Sequence, residues 1–73
     1  MGEIIETHVQ GNFTGWKHGT QFQLVNGQVW EQESPDYFYY HYHGIRVTIE
    51  AEGSVGVMSV AGIPQTVTVR RVR

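Results

Sequence analysis

Nine glycines and two prolines cut this chain of 73 residues into short pieces, and within them apolar residues recur at every second position. A period of two in pieces this short makes strands, not helices. Sheets built from such strands must hide one apolar face, and without a helix to cover it the sheet has to curl on itself. The expected fold class is therefore all-β: one domain over residues 1–73, a small, partly open barrel of five or six antiparallel strands.

The most legible unit is the alternation over residues 45–52, followed by Gly53-Ser54. That pair suits a two-residue type II′ turn, which sets Ile49 against Met58, Val47 against Val60 and Ala51 against Gly56 on one face. Arg46, Thr48, Glu50 and Glu52 then point to the other face. A second hairpin is expected over residues 20–32, where Asn26-Gly27 suits a type I′ turn. A two-residue loop there opposes Leu24 to Val29 and Phe22 to Glu31 on the core face, and Gln23 to Trp30 on the other. Trp30 is thus expected away from the core.

The remaining pieces are less regular. Residues 3–10 read as a strand, and residues 11–19, with Phe13 and Trp16, as a strand end or a loop. Gly62-Ile63-Pro64 reads as a break holding a single 3₁₀ turn, because proline cannot donate to a ladder. A closing strand from Gln65 to about Arg70 turns Val67 and Val69 inward, with a bulge or strand end near Arg70-Arg71 putting Val72 out of phase. This order of elements is that of an SH3-like barrel. An OB-type barrel is the runner-up, weakened by the lack of a helix between its middle strands.

Composition excludes several classes of function. Hydrophobic residues at 40% and charged residues at 16% do not fit intrinsic disorder. Seven acidic against five basic side chains give a net charge of -2, so nucleic acid is not an expected partner. Without cysteine there is no disulfide, no Cys-based zinc site and no thiol nucleophile. Apolar runs such as Ile4-Ile5 are far shorter than a signal core or the about 20 residues of a spanning helix. A cytoplasmic protein with no membrane contact is the expectation.

Gly15-Trp16, the segment Phe22-x-Leu24-x-Asn26-Gly27-Gln28-Val29-Trp30-x-Gln32, the tyrosine-rich strand and the closing Val67-x-Val69-x-Arg71-Val72 together resemble a family of small bacterial SH3-like modules. The likeness runs from about Gly11 onward and suits a mobile gene-cassette product. It implies the barrel fold but carries over no catalytic or ligand-binding residue. Lys17-His18 departs from the acidic residue that often follows the tryptophan, and Pro35-Asp36 precedes the tyrosines here.

Tyr37-Phe38-Tyr39-Tyr40-His41-Tyr42-His43 is an unbroken run of rings. In a strand Phe38, Tyr40 and Tyr42 share one face, and Tyr37, Tyr39, His41 and His43 the other. One face can be core. The second, extended by Trp16 and Trp30, is open to three readings: a covered barrel surface, a contact between copies or with a partner protein, or a platform for a small molecule, a sugar or single-stranded nucleic acid. Tyr and Trp are enriched in interface cores, and too few cations alternate with the rings to follow phosphates.

Catalytic sets are incomplete. His41 and His43 have strand spacing for a shared metal, but a zinc site needs a third ligand, from His8 or His18, and neither a metal nor a cofactor is expected. A pH-sensitive histidine surface is the more economical reading. Ser34, Ser54 and Ser59 lack a nucleophile-elbow context. The pairs Glu31/Glu33 and Glu50/Glu52 read as solvated strand faces, and Arg70, Arg71 and Arg73 as contacts for acids near Glu3 and Glu6 or for an acidic partner. The sequence thus points to a non-enzymatic binding or assembly module that self-associates, a dimer being simplest. The alternative is a small-molecule-binding or catalytic barrel whose site forms between subunits.

Overall fold

A computed structural model describes residues 2–73, and none of them is helical. Eight strands follow in chain order: β1 (Glu3–His8), β2 (Asn12–Trp16), β3 (Gln21–Gln23), β4 (Val29–Gln32), β5 (Phe38–His43), β6 (Arg46–Glu52), β7 (Val55–Val60) and β8 (Ile63–Arg71). Six form a curled antiparallel sheet in the order β1-β6-β7-β8-β4-β3, and β2 pairs with β5 in a separate small sheet. The all-β, partly open architecture is as expected. The strands number eight, more than five or six: the pieces expected as strands already come to seven, and residues 12–16 add an eighth that pairs with the aromatic run in the second sheet.

The large sheet curls until its edge strands touch. Just beyond β1, Val9 bridges Leu24, flanked by hydrogen bonds from Gln10 N to Gln23 O (2.7 Å) and from Val25 N to His8 O (2.9 Å). Inside lie Leu24, Trp30, Val47, Ile49, Met58 and Val69, all almost wholly buried. From the small sheet, Phe13 and Trp16 join this core, and Phe38 and Tyr40 pack against it. The Trp16 ring meets Phe13 and Phe22 edge-on, at centroid distances of 5.2 and 5.8 Å.

The β6–β7 hairpin has the expected register, with Ile49 opposite Met58, Val47 opposite Val60 and Ala51 opposite Gly56. Its loop has positive φ at Gly53 alone (65°), the sign pattern of a type II′ turn.

The β3–β4 hairpin departs from expectation by one residue. Phe22 stands opposite Trp30 and Gln21 opposite Glu31. Its loop has three residues, because Leu24 N donates to Gln28 O (2.9 Å) and Gly27 N to Leu24 O (3.0 Å). Among the described residues no non-glycine has positive φ, so Asn26 does not take the conformation a type I′ turn requires; of the two, only Gly27 does, at 91°. The Asn26 side chain instead accepts from Gln28 N at 3.0 Å. One extra loop residue exchanges the faces of β4. Trp30 therefore enters the core, while Val29 turns away from it and is covered near Val72 and Arg73.

Two smaller expectations are also corrected. Residues 62–64 form no 3₁₀ turn: β8 begins at Ile63, and a register shift between Met58 and Val60 leaves Pro64 where no ladder donor is needed. The C-terminal arginines do not meet Glu3 or Glu6. Arg70 pairs with Glu31 (3.7 Å), and Glu6 pairs with Arg46 (3.5 Å). Val67 and Val69 do point inward, and β8 stops at Arg71 before the half-exposed Val72.

Ile49 is fully buried against Met58, whereas Thr48 lies on the outer face. Ile49→Ala should cost about 2–5 kcal/mol and Thr48→Ala well under about 1 kcal/mol. Denaturant titration of both variants checks this, and equal losses would contradict the register.

Candidate functional site

The aromatic strand β5 lies where long-range contacts hold it. Gly15 crosses under it with φ 106°, and a Cβ there would run into the Phe38 carbonyl oxygen, so glycine alone allows the close approach of β2. Leading into β5, the connection from β4 is tied down by Gln32. This side chain is fully buried, accepts from Lys17 N at 2.8 Å, and donates through Nε2 to Ser34 O (3.0 Å) and Asp36 O (2.8 Å). Its main chain bonds to the turn after β2 through Gly19 N and Thr20 O. One amide thus fixes both connections that flank the aromatic surface.

In the sequence Gln32 stands only as the last residue of the hairpin motif, with no role assigned, although a signal for one exists. Once Trp30 is inward, Gln32 shares its face and immediately precedes the Ser34-Pro35-Asp36 turn. A glutamine on a core face next to a loop is a natural donor and acceptor for that loop's main chain.

Along β5, Phe38, Tyr40 and Tyr42 form a ladder with centroid separations of 5.9 and 4.7 Å. Tyr40 Oη and Tyr42 Oη are hydrogen-bonded at 3.0 Å. That bond, reinforced by desolvation, raises the Tyr40 phenol above its ordinary value of 10.0. Away from the core the strand is open: Tyr37 and Tyr39 are 72% and 71% exposed, and His41 and His43 are exposed too.

Of the six residues expected on this surface, Trp16 and Trp30 belong elsewhere, each 1% exposed in the core. Trp30 moved inward with the longer loop, and its Nε1 donates to Gln28 Oε1 at 3.0 Å. Trp16 lies under the small sheet, and its Nε1 is buried without a partner. Beside it is a hollow of about 130 Å³, lined by Thr14, Lys17, Tyr37 and Tyr39 among others. Small-molecule sites usually measure about 300–1,000 Å³, so the hollow is too small to enclose a substrate.

Among the described residues no three His, Cys, Asp or Glu side chains converge as metal ligands. Of the carboxylate pairs, Glu31 faces Arg70 and Gln21, while Glu50 and Glu52 share the outer face of β6, opposite Val57 and Val55. No helix among the described residues is long and apolar enough to cross a membrane.

No family model, curated protein or solved structure matches this chain.

Two outcomes follow from this geometry. Gln32→Leu keeps the approximate volume but strips partners from Lys17 N, Ser34 O and Asp36 O, so it should cost about 2–4 kcal/mol. Denaturation measures the loss, and faster hydrogen exchange at Lys17 would show its cause. Stoichiometric zinc should leave the melting temperature unchanged, whereas a site filled at a hundred times its dissociation constant would add about 2.7 kcal/mol. A calorimetric scan with and without zinc separates the two.

Proposed function

We propose that this domain is a non-enzymatic binding module of the small SH3-like kind, and that it self-associates through β5 into a two-fold dimer. The observation that carries this reading is that β5 pairs with β2 alone, so its other edge is free, and that the same strand exposes Tyr37 and Tyr39. Unpaired edges are templates for another strand, and proteins guard them with lysine, proline or inward charge. The sequence of β5 contains none of these, and its one irregularity is a register shift against β2 between Tyr39 and Tyr42.

Edge pairing about a two-fold axis would extend the small sheet to β2-β5-β5-β2 across two copies, with large rings on both of its faces. A net charge of -2 offers little repulsion between copies. Aromatic groups of this kind dominate interface energetics when another surface excludes water from them. At β5 itself the hollow beside Trp16, at about 130 Å³, does not enclose a ligand.

Sedimentation across micromolar to millimolar concentration tests the proposal. Wild type should show a reversible monomer–dimer equilibrium, and Tyr39→Ser should weaken it by about tenfold or more without changing the fold. A strictly monomeric wild type would overturn the assembly reading and favour the small-molecule alternative.

A further inference from the structure

The two sheets fail to join along one line. β2 and β3 are consecutive and joined through the turn at residues 17–20, yet β2 pairs only with β5, and β3 has β4 as its one sheet neighbour. Each therefore turns an edge toward the gap between them. In that gap is a cleft of about 330 Å³. Its floor is Phe13 and Phe22, stacked 6.0 Å apart, and its rim carries Asn12, Thr14, Gln21 and Gln23. Gln10 closes the far end, and none of the lining residues is charged.

Main-chain directions in β3 follow from its bonds to β4. Thr20 O accepts from Gln32 N, and Leu24 N donates to Gln28 O, so the even-numbered residues bond to β4. Alternation in an antiparallel ladder then turns the main-chain groups of Gln21 and Gln23 toward the cleft. The Gln23 carbonyl takes the Gln10 N–H at 2.7 Å. The Gln21 N–H and C=O and the Gln23 N–H face the opening.

We propose that this cleft is a strand-acceptor site for an extended, uncharged peptide segment of another protein. The donor and acceptor of Gln21, with the Gln23 N–H beyond them, match an extended backbone, which bonds to them by strand addition. The rim offers amides and hydroxyls but no counter-charge, so a charged side chain buried there would lose hydration without gaining a partner. A sugar is disfavoured because it would stack on an open aromatic face, and the floor rings Phe13 and Phe22 are 1% and 4% exposed. This site lies on the opposite edge of the small sheet from the dimer contact and is independent of it.

The test is an amide chemical-shift titration of the whole domain with a capped peptide of alternating Thr and Val, about four residues long to span the three residues of β3. Shifts should concentrate at Asn12, Thr14, Gln21 and Gln23, with hydrogen exchange slowed at the Gln21 amide. N-methylating alternate peptide amides, or replacing the threonines by Glu or by Lys, should weaken binding by about tenfold or more. Gln21→Pro, which removes the edge N–H, should do the same, and the N-methyl comparison stands even if that variant unfolds. The proposal is overturned by no shifts at millimolar peptide, by shifts confined to β5, by equal binding of the N-methylated peptide, or by a neutral oligosaccharide giving the same shifts and protection.

Discussion

Closure of the large sheet at Val9 and Leu24 is the contact on which the rest of the molecule depends. A sheet of six strands with no helix against it has two edges and one apolar face to hide, and only curling addresses both. The bridge brings β1 and β3 together, and its flanking hydrogen bonds at Gln10 and Val25 pair main-chain groups that the edges would otherwise leave open. Because the bridge is confined to one place, the curl stays incomplete beside it. The small sheet fills that opening with Phe13 and Trp16, which meet Phe22 from β3 in one ring cluster.

Gln32 does for the connections what the bridge does for the strands. Buried amides are costly when any of their groups lacks a partner, and cheap in a fully paired network. Here the Oε1 and both donated bonds of Nε2 go to the main chain of the two connections beside β5. Residues 33 and 34 are held further by bonds to Thr68 O of β8. The strand that displays Tyr37 and Tyr39 is therefore set by a polar anchor beneath it, and its exposed rings project from an ordered base.

The two hairpins show which parts of this fold could be read from sequence. In β6–β7, Gly53-Ser54 and the alternation of Val47, Ile49 and Ala51 are independent signals that demand the same register, and the structure has it. In β3–β4, Asn-Gly is compatible with a two-residue or a three-residue loop, and Leu24 and Phe22 are inward in both. What separates them is β4: the longer loop buries the larger Trp30 ring, with its indole N–H paired to Gln28, and sets the smaller Val29 outside. That choice depends on volume inside the completed curl, which a local pattern does not contain. Exposure of Tyr37, Tyr39, His41 and His43 followed from alternation within one strand. The burial of Trp16 did not, since it requires β2 to find β5 across the intervening hairpin.

A two-stranded sheet is marginal by its own hydrogen bonds. This one persists because Phe13, Trp16, Phe38 and Tyr40 pack onto the closed core and because Gly15 lets the two backbones approach. Its edges are consequently free of any structural duty. Two ion pairs lie elsewhere, on the large sheet: Arg46 with Glu6, both largely exposed, and Arg70 with Glu31. Exposed pairs of this kind contribute little to stability or orientation. The best-held polar side chain, Gln32, is turned inward. What the small sheet presents to solvent is therefore strand backbone and aromatic ring, held in place from beneath.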